Sequence, residues 1–405
     1  MSNTTAESAA SPKKLGAVDQ AGAIDFGRGF KTGKKFVFVV NNDRFFLTHR
    51  ASWAAALAAS GGKVTVIAQD TGYADTILDL GFDYVPLHFG RESISLKEAL
   101  TTAIKLLLLL LKIRPNVVFL VATAAYALGW PAAMLLPKTK FIRVITGAGR
   151  ALTADGGTTR ASAVVRWGLV LSAKLRNVFS LFQLKSDQAN FVAANLAVNG
   201  RSYLIAGTGL DTDKWAPTTI RESTSPVVLF AARLFREKGI YEFVDLARAT
   251  PPGQARFVVV GKPDSGVTSS VTSEELKSWQ DSGVIEYLGE SNDMLSVFRQ
   301  ADILVLPSTH PEGTPRTLIE AAACGVVAIA SDQEGCRAVV THGQTGLIAS
   351  VAENGSFYSA LQSLLNDPAY RLALSKEARA RAVDNFSLET TLGKIYAAVG
   401  IGNKC

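Results

Sequence analysis

The chain has 405 residues, with 42 Lys and Arg against 35 Asp and Glu, and 48% of it is hydrophobic. That balance excludes a chain disordered throughout and leaves room for two domains of ordinary size. The charge is split: residues 1–205 hold 24 basic and 12 acidic side chains, whereas residues 206–405 hold 18 and 23. A basic first half suggests an anionic partner, whether a phosphate-bearing substrate, a membrane surface or nucleic acid; an unevenly solvated surface is the plain alternative.

Residues 1–33, opening MSNTTAESAASPKK, read as a disordered leader without the apolar h-region of a signal peptide. A buried strand is predicted at FVFVV (36–40), then a helix over Ala51–Ala59 stopped by GGK, then a strand at VTVIA (64–68). Helical text over Leu96–Ile113 ends before Pro115. Strands follow at 117–121, 141–145 and 178–182, separated by a small-residue helix and a helix over Ala161–Leu175. The polar, proline-flanked stretch 216–226 reads as a linker. The rhythm then restarts with strands at 227–231, 256–260, 284–288, 303–307 and 326–330. Between them fall helices at Ile240–Arg248, Glu274–Gln280, Met294–Arg299 and from Pro315. Continuously apolar strands alternating with helices mean parallel sheets covered on both faces. The prediction is therefore two Rossmann-like, doubly wound α/β domains, 34–215 and 216–380, with a ligand at the carboxyl ends of the strands between them.

Cys324, Cys336 and Cys405 form no CxxC, which suggests a reducing cytosol. The four histidines are scattered, without metal-ligand spacing. The greasy run Leu106–Leu111, bracketed by Lys105 and Lys112, is far short of the ~20 residues that cross a bilayer. The expected location is the cytoplasm, with peripheral contact to the cytoplasmic face of the membrane through this helix and the stretch 163–178. Core packing is the competing use of both segments.

The strongest chemical signal is HPEGTPRTLIEAAACG (310–325), directly after a buried strand. Pro315 suits the first turn of a helix and Thr314 its cap. Gly313 lets backbone approach a ligand, and the amides at the start of this helix point into the cleft as an anion site. Glu312 precedes the helix and Glu320 lies eight residues on. One carboxylate can reach a sugar ring and the other a ribose diol, because a carboxylate accepts two hydrogen bonds. In LFAARLFREKG (229–239), Arg233 and Lys238 stand at a strand's carboxyl end, where two cations can hold a diphosphate and the charge of its departure. Gly261 and Tyr287 end two further strands and can pack on a base, or serve only as turn residues. In the first half, NNDRFFLTHR places Arg44, His49 and Arg50 on the opposite wall, though His49 equally suits a helix cap. TGAGRALT adds the glycines Gly147 and Gly149 in a phosphate-friendly loop.

These residues resemble the large retaining GT-B glycosyltransferase family often called family four, or group 1. The Arg233/Lys238 pair and the Glu312…Glu320 motif match its donor site. FFLTHR, ITGAGRALT and GCRAVV (335–340) resemble bacterial transferases that build polysaccharides or glycans on undecaprenyl-diphosphate-linked sugars. The resemblance spans roughly 35–400 and makes 381–405 a helix that crosses back to the first domain. It implies that Arg233 and Lys238 grip the donor diphosphate, Glu312 binds the donor sugar, the backbone of Gly313, Thr314, Pro315, Arg316 and Thr317 contacts sugar and phosphate, and Glu320 holds the ribose. It further implies transfer from a nucleotide-sugar, most simply a UDP-sugar, with retention and without a metal or protein nucleophile. The partners so implied are a nucleotide-sugar, a glycan or lipid-diphosphate-linked acceptor and the inner leaflet of the membrane. Nucleic acid is not expected, since no aromatic–basic interleaving occurs. A nucleotide-sugar epimerase or hydrolase, and a non-catalytic sugar-nucleotide-binding subunit, are the alternatives. Two departures fall at the sugar and acceptor pockets: VATAAYALG (121–129) lacks the histidine of many relatives, and NNDRFF replaces a glycine-rich loop.

Overall fold

The computed structural model describes residues 33–89, 96–121, 123–146, 160–217, 225–264, 267–311 and 313–399. The first domain runs β1 (Lys35–Asn42), α1 (Asp43–His49), α2 (Ala51–Ala59), β2 (Lys63–Gln69), α3 (Ala74–Asp79), β3 (Asp83–Pro86), α4 (Leu96–Ile113), β4 (Val117–Val121), α5 (Thr123–Leu128), α6 (Trp130–Leu135), β5 (Lys140–Ile145), α7 (Arg160–Lys174), β6 (Val178–Phe182), α8 (Lys185–Ala193) and β7 (Ser202–Leu204). The second runs β8 (Val227–Ala231), α9 (Ile240–Ala249), β9 (Arg256–Val260), α10 (Ser273–Asp281), β10 (Glu286–Tyr287), α11 (Met294–Gln300), β11 (Ile303–Leu306), α12 (Arg316–Ala323), β12 (Val327–Ser331), α13 (Glu334–Val339), β13 (Gly346–Ala349), α14 (Ser356–Asn366) and α15 (Pro368–Phe386), before the final α16 (Leu388–Val399).

Seven strands form one sheet in the order β3-β2-β1-β4-β5-β6-β7, and six form the other in the order β10-β9-β8-β11-β12-β13. Every ladder is parallel. The pattern of β1 explains why. Phe36, Phe38 and Val40 enter the core on one face of the sheet, Val37 and Val39 the core on the other, and none of the five is exposed. A strand buried on both faces needs a continuous apolar run, and helices must cover both sides. In each sheet the order reverses beside the first strand, between β1 and β4 and between β8 and β11. Such switch points open a crevice at the carboxyl ends of the strands. They aim the segments after β1, β8 and β11 at one another.

The chain leaves the first sheet after β7. Leu210 and Trp215 already belong to the core of the second domain, so the boundary lies ahead of the expected residue 216. α15 also packs on the second domain, which moves the return crossing from the expected residue 381 to Ser387. There Leu210 and Phe386–Leu388 bond side by side: Leu210 N donates to Phe386 O and Leu388 N to Leu210 O. The two interdomain passages thus form one short parallel bridge. Beyond it α16 buries Leu388, Leu392, Ile395 and Tyr396 in the first domain's core.

Candidate active site

Two cavities lie between the domains at the switch points. The inner one, about 580 Å³, has Arg233, Lys238, His310 and the segment Gly313–Thr317 on one wall and Phe45, His49, Thr146 and Gln183 on the other. The outer one, about 650 Å³, places Glu320 and Arg316 opposite Arg44 and Arg50, with Glu290 and Met294 at its edge. His49 and Arg316 line both.

Lys238 ends a single 3₁₀ turn, Arg236–Lys238, and is 8% exposed. Gly239 follows in the left-handed region at φ 85°, where a Cβ would stand 2.3 Å from the Pro307 carbonyl oxygen. The turn is therefore pinned against the end of β11. Arg233 pairs with Asp264 at 2.5 Å. The Phe235 ring organises the cations: Arg233 Cζ lies 5.1 Å and Lys238 Nζ 5.8 Å from its centroid, and the His310 ring meets it edge-on at 5.9 Å. An aromatic face attracts each of the two cations.

α12 begins at Arg316, with Pro315 itself as N-cap and no side-chain cap. The expected Thr314 cap does not form: its Oγ1 is buried without a partner, and its amide donates across the interface to Gln183 Oε1 at 3.2 Å. Gly313 brings backbone close, but to the other domain. A Cβ there would sit 2.1 Å from the Thr146 carbonyl oxygen and 2.6 Å from Gln183 Oε1. With Lys238 and Arg233 beside it, the uncapped helix start makes this wall an anion-binding surface.

Glu320 is 6% exposed and takes the Arg316 Nε at 2.6 Å. Arg316 reaches on across the cleft and donates to the Thr48 carbonyl. At the mouth, Glu290 accepts from both Arg44 and Lys262 at 2.8 Å each. Arg50, 1% exposed, lies 4.6 Å over the Trp53 ring and gives one hydrogen bond to the His49 carbonyl. Its Nε and Nη2 are buried without partners. Burial brings its pKa down to about 10, Tyr126 opposing and Arg316 adding to the fall.

His49 stacks on Phe45 at 4.4 Å, with its Nδ1 2.6 Å from Thr48 Oγ1. Burial first, then the charges of Arg316 and Arg50, hold its pKa down to about 3. The imidazole is therefore neutral in the folded protein at neutral pH. The unfolded chain takes up the proton below the ordinary 6.5, so stability present above that pH is lost as pH falls toward 3, at about 1.4 kcal/mol per unit. Urea unfolding should show the native protein losing about 2–3 kcal/mol more than His49→Gln between pH 7 and 4.5. Equal losses would mean that His49 titrates normally.

Among the expected residues, Arg233, Lys238, Gly313, Thr314, Pro315, Arg316, Thr317 and His49 meet in the inner cavity, and Arg44, Arg50 and Glu320 in the outer one. Glu312, Gly147 and Gly149 lie outside the described residues. Gly261 and Tyr287 line neither cavity. Tyr287 Oη instead donates to the Gly261 carbonyl at 3.0 Å. Gly261, at φ 145°, is required because a Cβ would stand 1.9 Å from the Ala232 carbonyl oxygen. Phe45, Thr146, Gln183, His310 and Glu290 join the site without having been expected there. His310 opens HPEGTPRTLIEAAACG, Phe45 lies within NNDRFFLTHR and Thr146 opens TGAGRALT, whereas Gln183 and Glu290 stood in no motif. Among the described residues, no group of three or more His, Cys, Asp or Glu could hold a metal ion. No helix there is long and apolar enough to cross a membrane.

Two facing parallel-sheet domains with a cationic, helix-start wall in the cleft define a GT-B glycosyltransferase architecture. Residues 211–381 match the family described as "Glycosyl transferases group 1" and residues 35–174 match "Glycosyl transferase 4-like". The chain belongs to this glycosyltransferase family. It is 26% identical over 336 residues to N,N'-diacetylbacillosaminyl-diphospho-undecaprenol alpha-1,3-N-acetylgalactosaminyltransferase of Campylobacter jejuni, covering 80% of this chain and 87% of the relative. It is 24% identical to UDP-Gal:alpha-D-GlcNAc-diphosphoundecaprenol alpha-1,3-galactosyltransferase of Escherichia coli, covering 75% and 80%. The crystal structure of Anabaena Alr3699/HepE in complex with UDP superposes with a TM-score of 0.73 at 17% identity, covering 90% of this chain and 99% of that one.

Proposed function

We propose that this glycosyltransferase moves a sugar from a UDP-sugar to a sugar carried on a polyprenyl diphosphate, with retention of configuration, at the inner leaflet of the membrane. The observation that carries the donor half is the inner cavity, where Arg233, Lys238 and the start of α12 face one space. In this reading the donor diphosphate lies there. As the C1–oxygen bond to the diphosphate breaks, negative charge grows on the leaving oxygen, and the fixed positive groups stabilise it. The acceptor hydroxyl bonds to C1 from the same face and its proton passes to the leaving phosphate. No metal is needed for this step, because Lys238, Arg233 and the helix start supply the positive charge. Glu320, held by Arg316, accepts from the ribose diol, and Glu312 binds hydroxyls of the donor sugar. Arg44, His49 and Arg50 face the acceptor. Support for the acceptor comes from the Campylobacter and Escherichia relatives, whose names specify undecaprenol-diphosphate-linked sugars. UDP in the HepE complex supports the nucleotide.

The test is a panel of UDP-sugars incubated with undecaprenyl-diphosphate-linked GlcNAc or diacetylbacillosamine, with the product's anomeric configuration read by NMR. An α-linked lipid product from one α-configured donor is expected, lost on Glu312→Ala. Donor consumed equally without acceptor would make the protein a hydrolase or epimerase, and a β-linked product would exclude retention.

A further inference from the structure

α4 carries two apolar stripes. At about 100° per residue, Leu106 and Leu110 mark its inner side, and both are fully buried in the core beneath it. Leu100, Ile104, Leu108 and Leu111 fall within an arc of about 80° on another side of the same helix. They are 63%, 48%, 59% and 39% exposed. The inner stripe is needed by the core; among the described residues, the outer one is left exposed.

The outer stripe continues onto neighbouring helices. α6 packs on α4, and α7 packs on α6. All three cover the same face of the first sheet, because Leu106, Leu110, Ala132, Ala133 and Leu169 share one core with Val37 and Val39. From this layer Met134 and Leu135 on α6 and Trp167 on α7 stand out, 52%, 53% and 67% exposed. Scattered exposed apolar residues are ordinary, but a set gathered on one helical layer marks a contact surface.

Charge selects the partner. Lys97, Lys105, Lys112, Lys138, Arg166 and Lys174 are exposed on or beside these three helices. Between Leu96 and Ile145 the only acid is Glu98, and from Arg160 to Arg176 there is none. An apolar strip with an exposed tryptophan, flanked by long basic side chains, suits the boundary between acyl chains and anionic headgroups. The acidic second half of another copy of this chain, with 23 acidic against 18 basic side chains over 206–405, would match the lysines but not the breadth of exposed leucine. The layer also adjoins the site: β5 ends beside Thr146, which lines the inner cavity, and the next described element is α7.

We propose that the outer face of α4, α6 and α7 docks on an anionic lipid surface, with Leu100, Ile104, Leu108, Leu111 and Trp167 entering the acyl boundary and the lysines meeting headgroups. This deepens the lipid-linked acceptor reading and rests on it for its purpose, though vesicle binding is measured without donor or acceptor. The test is co-sedimentation of the full chain with phosphatidylcholine vesicles containing 30% phosphatidylglycerol, against pure phosphatidylcholine. The comparison is with a Leu100→Ser, Leu108→Ser, Trp167→Ser variant. The native protein should bind the anionic vesicles at least about tenfold more tightly than the variant, and more weakly at high salt. Because the three positions are exposed, the variant should keep its thermal midpoint and its rate on a water-soluble short-chain acceptor. Failure of the native protein to bind anionic vesicles, or equal binding by the variant, would overturn the proposal. So would a native dimer in sedimentation velocity that the variant converts to monomer. Vesicle binding that persists when every lipid-linked acceptor is refused would leave the docking face standing and remove only the acceptor.

Discussion

Replacing Lys238 with alanine is expected to lower kcat/KM for sugar transfer by about a thousandfold, equivalent to about 4 kcal/mol of transition-state stabilisation. The side chain is 8% exposed and lines the inner cavity. Its turn is held against Pro307 by the close approach at Gly239, so no rearrangement is required when charge develops. A buried ammonium aimed at a departing phosphate acts in a medium where its field is little screened. Lys238→Met, which keeps most of the stem, should lose as much activity as Lys238→Ala while keeping a native thermal midpoint. Arg233 should matter less, about ten- to a hundredfold, because its side chain is 59% exposed and shared with Asp264. Steady-state kinetics at saturating acceptor measure both. An undiminished rate in Lys238→Ala would remove the diphosphate from this wall.

Gly313→Ala should lower kcat by about a hundredfold with little change in the stability of either domain. The added methyl would stand 2.1 Å from the Thr146 carbonyl oxygen and 2.6 Å from Gln183 Oε1, both in the opposite domain. The glutamine can turn away, but the carbonyl at the end of β5 cannot. The start of α12 must then retreat by about an ångström, and an error of that size at reacting groups costs about a hundredfold. Gln183→Ala removes the flexible half of the obstruction and the bond to the Thr314 amide. It should leave Gly313→Ala unrescued if the carbonyl is the obstacle. Full activity in Gly313→Ala would mean that the closed contact seen between Gly313 and Thr146 is not the reacting arrangement.

How much of this was legible in the sequence follows from what each residue's neighbours are. The strands at 117–121, 178–182, 227–231 and 256–260 are found to the residue, because burial on both faces forces an unbroken apolar run. β3, β7 and β13, of three or four residues, present too short a run for any period to show. VIEYL shrinks to the two residues of β10, at the edge of the second sheet. Thr314 has the chemistry of a cap, yet its amide is taken by Gln183 from the other domain. A contact 131 residues away thus overrides a local preference. Gly261 looks like a ligand-side glycine at a strand end, whereas the Ala232 carbonyl is what requires it.

The donor-side cluster is legible because its members sit within two short segments after single strands. The opposite wall is legible only at His49: Phe45 in α1, Thr146 after β5 and Gln183 after β6 join it from three separate segments, and no local spacing links them. The leucine run of α4 shows both limits at once. Sequence alone reads it as one greasy block, and only the helix's seat on the sheet separates inward Leu106 and Leu110 from outward Leu108 and Leu111.

A crystal structure of the protein grown with UDP addresses the central claim most directly. The diphosphate oxygens should lie within about 2.7–3.2 Å of Lys238 Nζ and the amides at the start of α12, with the ribose toward Glu320. UDP seated elsewhere, with Lys238 and the start of α12 facing solvent alone, would contradict it.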